Sequence, residues 1–178
     1  GNDLCAQILR DSVTPVITTN GDQQLISSGY LTAVELVATA FDIKDGELIA
    51  SADNLGPFRP GKHTVVWQAQ DQIGNQAEVS QQVLILPLIK FSGLQQIAAN
   101  NSNGQNVEVR IPISLSGEAP EYPVLIDYEI SGTADESEHD LSSGQIQIDS
   151  GLATEIVFNW LDNQSIENDK NIVIQLLN

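Results

Sequence analysis

The sequence has no methionine, one cysteine and only seven lysines and arginines, and each shortage excludes something. Without an initiator Met, the 178 residues read as a piece of a longer polypeptide. Cys5 cannot close an internal disulfide, so stability must come from packing or bound ions. Its isolated place near a terminus gives it no redox or metal role. The two histidines, His63 and His139, form no zinc-spaced pair with it or with each other. No apolar run approaches the roughly 20 residues that span a bilayer; the longest candidate, Val83 to Ile89, is broken by Pro87. The first ten residues lack the basic start and apolar run of a signal peptide. Gly-x-Ser-x-Gly, P-loop and dinucleotide fingerprints are all missing, and nothing marks either histidine as a catalytic base.

Basic residues are scarce against 24 acidic ones, giving a formal net charge of −17. From Ile111 to Asp169 there are 13 acidic residues and not one Lys or Arg. Such a surface repels phosphate backbones, which excludes nucleic-acid binding, and it disfavours anionic membranes. What remains is solubility in salt, divalent-cation binding, or plain solvation of strand edges. Hydrophobic residues make up 41%, enough for a folded core.

What the chain does have is alternation. His63-Thr-Val-Val-Trp-Gln-Ala-Gln70 sets Val65, Trp67 and Ala69 on one face. Asp71-Gln-Ile-Gly-Asn75 supplies a turn, and Ala77 to Leu86 returns as its partner, which predicts a hairpin. Pro15 to Thr19, Val34 to Ala40 and Glu47 to Ala50 read as shorter strands. Turn dipeptides Asn20-Gly21, Asp45-Gly46 and Pro60-Gly61 separate them. In the second half, Val107 to Leu115 alternates strictly, with Pro112 on the outward set, which predicts an edge or a bulge there. Val124 to Ile130, Gln145 to Ile148, Thr154 to Leu161 and Asn171 to Leu177 follow as strands. The expected architecture is all-β: two immunoglobulin-like antiparallel β-sandwich modules in tandem, residues 1–87 and 88–178, joined by a short linker at Pro87.

Both halves resemble known modules. Asp42-Ile-Lys-Asp-Gly46, Gly56-Pro-Phe-Arg-Pro-Gly61, His63-Thr-Val-Val-Trp67 and Asp71-Gln-Ile-Gly-Asn75 together resemble a hyalin-repeat or bacterial immunoglobulin-like domain. Val107 to Gly117, Val124 to Ala134, Asp140, Ser143-Gly144 and Leu161-Asp162 through Glu167 and Asp169 resemble a Calx-beta domain. The second resemblance implies one further strand beyond Asn171 to Leu177, so the module is expected to lack its last strand and to leave a sheet edge open.

The same resemblance implies calcium. Asp140, Asp162 and Glu167 match acidic ligands of the calcium-binding members. Asn163 replaces the second Asp of a usual pair, Lys170 replaces a later acid, and Asn100-Asn101-Ser102-Asn103 replaces another. Three of about six ligands remain, and a nearby ammonium repels a cation. A solvated acidic rim is therefore the preferred reading, with a weak calcium site at Asp140, Asp162 and Glu167 as its rival. Glu138-His139-Asp140 stacks three ligand types, yet adjacent loop residues rarely face one ion. Asp42 and Asp45 belong to turn chemistry. Trp67 and Trp160 could stack on sugars, but each sits among apolar neighbours, which favours core packing. The expected function is a non-catalytic stalk or adhesion fragment of a large extracellular, bacterial surface-type protein. Its partners would be other modules of the parent chain, surface proteins or glycans. A calcium-stiffened module and a carbohydrate-binding accessory region of a secreted enzyme are the alternatives.

Overall fold

The computed structural model describes residues 11–93, 105–161 and 170–177. These residues form thirteen strands and no helix, in four sheets. The chain is all-β, and its sheets are those of immunoglobulin-like sandwiches, as the two-residue period predicts. Backbone proximity divides it into two compact units. Of the described residues, 11–25, Thr32–Phe58 and Lys62–Leu84 belong to one; Ile26–Leu31, Arg59–Gly61 and 85–177 belong to the other.

The first sheets comprise β1 (Val16–Thr19), β2 (Gln23–Ile26), β3 (Ala38–Asp42), β4 (Gly46–Leu48), β5 (Ser51–Ala52), β6 (Gly61–Gln70) and β7 (Gln76–Leu86). They are ordered β1-β3-β4 and β2-β7-β6-β5. The β6–β7 hairpin forms where expected. Val65, Trp67 and Ala69 of β6 are buried on one face, while Gln68 and Gln70 are exposed. The segment Val34 to Ala40 departs from expectation, because the ladder begins only at Ala38. Before it, the Asn20 side chain takes the place of a strand. Its Nδ2 donates to Glu35 O at 2.9 Å, and its Oδ1 accepts from Val37 N at 3.2 Å. Gln81 sits at an inward position of β7, 1% exposed. Its Oε1 accepts from Trp67 Nε1 at 2.8 Å, and its Nε2 donates to Asn20 Oδ1 at 2.8 Å and to Gly21 O. A buried amide with every visible partner satisfied fixes the hairpin to the Asn20-Gly21 turn.

The second pair comprises β8 (Ile89–Phe91), β9 (Val107–Leu115), β10 (Val124–Gly132), β11 (Gly144–Ile148), β12 (Ala153–Trp160) and β13 (Ile172–Leu177). The sheets are ordered β12-β9-β8 and β11-β10-β13. Alternate residues meet between them: Val109, Ile113 and Leu115 from β9, Ile126 and Tyr128 from β10, Ile148 from β11, Ile156 and Phe158 from β12. Pro112 does not make β9 an edge strand or a bulge, since β9 lies between two neighbours in regular register. The missing donor is accommodated because β8 stops at Phe91, opposite Ile113. Ser92 N then donates to Pro112 O at 2.9 Å, so the ring sits where that ladder ends.

Candidate functional site

Acidic side chains are the only chemistry-bearing groups that the sequence concentrates, so the question is what their oxygens face. At the end of β10, Gly132 adopts φ 135°, and an added Cβ would collide with Asn171 O. The close approach lets Asn171 clip the next loop. Its O accepts from Thr133 N at 3.0 Å and Ala134 N at 3.1 Å, and its N donates to Thr133 Oγ1 at 3.0 Å. Asp135 then folds onto its own turn. Its Oδ1 accepts from Ser137 N at 2.8 Å and Ser137 Oγ at 2.6 Å, and these two bonds hold its pKa below the usual value.

Glu138 is buried, at 6% exposure. Its Oε2 accepts from Asp135 N at 3.0 Å and pairs with Lys170 Nζ at 3.4 Å. Lys170, expected to repel a cation, is thus the counter-charge of a buried carboxylate. His139 bridges to Trp160 across the strand end and sets its ring edge on Phe158, centroids 6.5 Å apart. Its Nδ1 is buried without a hydrogen-bond partner.

Asp140, a ligand expected from the resemblance, is exposed, and both its oxygens accept hydrogen bonds from one residue. Asn159 N donates to Oδ1 and Asn159 Nδ2 to Oδ2, each at 2.7 Å; Asp140 N returns a bond to Asn159 O at 3.2 Å. The Asn159 side chain, then its backbone amide, lower the Asp140 pKa. The other two expected ligands, Asp162 and Glu167, lie outside the described residues. Among the described residues, no group of three or more His, Cys, Asp or Glu side chains is placed to hold a metal ion. The Glu138-His139-Asp140 run closes a loop onto β12. The sequence did not reveal Asn159 as its partner, because Asn159 lies 19 residues away and carries no distinctive motif.

The first unit repeats the pattern. Asp42 Oδ1 accepts from Lys44 N at 2.8 Å and Asp45 N at 3.1 Å, and Asp45 Oδ2 accepts from Gln72 N at 2.8 Å. Asp42 Oδ2 is buried without a partner. Asp71 Oδ1 accepts from Ile73 N and Asn75 N, and its Oδ2 accepts from Asn75 Nδ2 at 2.6 Å. Burial raises its pKa, but the bonds from Asn75, Gly74 and Ile73 outweigh that, and the net shift is downward. Asn75 Nδ2 also donates to Val13 O at 3.0 Å, so this turn holds the incoming chain.

Of the two tryptophans, Trp67 is core, 4% exposed, and Trp160 is half-buried against the second core. Sequence reasoning missed two exposed aromatics, Phe41 and Tyr30; Tyr30 is 62% exposed, with the Arg59 guanidinium 4.5 Å from its ring centroid. Its setting in Ser27-Ser28-Gly29, outside any alternating run, was the available signal. No described helix is long and apolar enough to cross a membrane.

No family model matches the chain, and no curated protein matches it. Similar solved structures include the M60 catalytic domain with the CBM51-1 and CBM51-2 domains from Clostridium perfringens ZmpB. It is 15% identical over 84% of this chain and 23% of that one, with a TM-score of 0.30. The structure of CBM51-2 in complex with GlcNAc and INT domains, from the same protein, is 15% identical over 83% of this chain and 47% of that one, at 0.29. The chain therefore spans less than half the length of either.

Proposed function

We propose that the chain is a non-catalytic spacer and interaction region of an extracellular multi-module protein, built from modules at 1–87 and 88–178 that meet near Pro87. One observation supports this best. Asp42, Asp71, Asp135, Glu138 and Asp140 bond to nearby amides, hydroxyls or Lys170, and so tie down the loops that carry them. Partners are further modules of the parent chain, surface proteins or glycans. The hyalin-repeat and Calx-beta resemblances rest on their motifs, and the weak calcium site at Asp140, Asp162 and Glu167 rests on the second of them.

Mechanical unfolding gives the test. Pulled between two handles, the chain is expected to unfold in two separate events, each releasing about 25–30 nm of contour length for some 87–91 residues. One event of double length would contradict two modules.

A carbohydrate-binding accessory region is the second reading, and the 62% exposure of Tyr30 favours it, since sugars pack on exposed aromatic rings beside polar groups such as Arg59. Titration with GlcNAc, followed by tyrosine fluorescence, should then saturate in the wild type and stay flat in Tyr30→Ala. A flat wild-type titration removes GlcNAc as the ligand.

A further inference from the structure

Single apolar side chains on a surface are ordinary, but several gathered on one face are not. Val16 and Thr18 of β1 lie opposite Phe41 and Thr39 of β3, and Glu47 of β4 lies opposite Phe41 on the other side. All five are exposed, while Ile17 and Ala40, which alternate with them, are buried. Val37 and Ile43 flank β3 and Ile49 follows β4, and these three are exposed too. The outer face of this sheet is therefore largely apolar. Among the described residues of its strands, Glu47 is the one charge turned outward.

The two central strands of the other sheet, β6 and β7, are finished differently. β6 shows Thr64, Gln68 and Gln70 to solvent, and β7 shows Glu78, Ser80 and Gln82. Thr64 Oγ1 donates to Gln82 Oε1 at 3.1 Å, and Gln68 Nε2 donates to Glu78 Oε1, so these side chains bond across the strands. A sheet that met only water would be served by this polar pattern. The β1-β3-β4 sheet has the opposite one.

Taking the chain as an interaction region, we propose that the β1-β3-β4 face docks a basic amphipathic helix of another protein. Size sets the helix. Adjacent strands lie about 4.8 Å apart, so the face is about 10 Å across, the width of one helix. From Val37 to Phe41 it runs about 13 Å, or about two to three helical turns. A strip that small falls far short of the roughly 800 Å² per partner of a standard interface, so it does not hold a second copy of this chain. Charge sets the sign. Glu47 stands on the face, and Glu35, two residues before Val37, is exposed. Lys44, beside Ile43, is already paired with Asp11 Oδ2 at 3.3 Å. Lysines flanking an apolar stripe would meet the carboxylates. A sugar would need more hydrogen-bonding groups than two threonines and one carboxylate provide, and the acidic charge repels anionic lipid.

A capped peptide of about sixteen residues, with Leu at i, i+3, i+4 and i+7 and Lys on the flanks, is a sufficient probe. Backbone resonances of Val16, Thr39, Phe41 and Ile49 should shift in a saturable way, while those of Thr64, Gln68, Glu78 and Gln82 stay still. Phe41→Thr should weaken binding about fivefold or more, and Ile49→Thr about twofold or more; both are exposed changes that leave the fold nearly as stable. Glu47→Gln should weaken it about two- to fivefold, and added salt should weaken it too. A peptide of the same composition with Leu spread around the helix should leave the resonances unmoved. No shift at millimolar peptide overturns the proposal. So does binding that both threonine variants leave unchanged, or a dimer that shifts the same resonances without peptide. Two-step unfolding is read without peptide, so a failure here leaves the module reading to its own test.

Discussion

Replacing Trp67 by Ala is expected to destabilise the chain by about 3–5 kcal/mol, a large share of the roughly 5–15 kcal/mol a domain commands. Two losses combine. The ring fills the space between sheets at 4% exposure, and its Nε1 satisfies Gln81 Oε1 inside the core. Removing the indole opens a cavity and leaves an amide oxygen buried and unpaired, while Gln81 still holds Asn20 and Gly21. Trp67→Phe separates the two, restoring bulk but not the donor, and should cost about 1–3 kcal/mol. Urea unfolding checks this, with the midpoint lowered and the slope unchanged. A loss under about 1 kcal/mol for Trp67→Ala would return Trp67 to the surface and to sugar stacking.

Ile126→Ala should cost about 2–5 kcal/mol in the second unit. Ile126 is fully buried on β10, the central strand of its sheet, and packs in the core with Ile113, Ile148 and Ile156. Leu125, one residue earlier, is 54% exposed, so Leu125→Ala should stay within about 0.5 kcal/mol. Equal losses at both positions would mean that the register of β10 is wrong by one residue, because that slip exchanges the two faces.

That pair of neighbours shows why the fold was legible in the sequence. A period of two is a local property, and β9 begins and ends where the alternation of Val107 to Leu115 does. The hairpin around Asp71 to Asn75 was legible for the same reason, since turn chemistry also lies within a few residues. The start of β3 was not, because Asn20 caps that segment from 15 to 17 residues away. The short strands β2, β5 and β8 were missed for lack of length. At the acidic loops, residue type suggested a ligand shell, but whether a carboxylate is free depends on what folds against it. Asp140 is taken by Asn159 and Glu138 by Lys170, partners no spacing rule names.

The central claim is that these carboxylates lock loops, and the melting temperature of the chain in calcium and in EDTA tests it most directly. A site with Kd near 1 μM would add about 4 kcal/mol at 1 mM free calcium. In a module of this size that amounts to a rise of about 15 °C or more. The internal partners of Asp140 and Glu138 predict a difference below about 3 °C, the response of no site or of one in the millimolar range. A rise above about 10 °C in calcium, abolished by Asp140→Asn, would contradict the account and make this loop a true calcium centre.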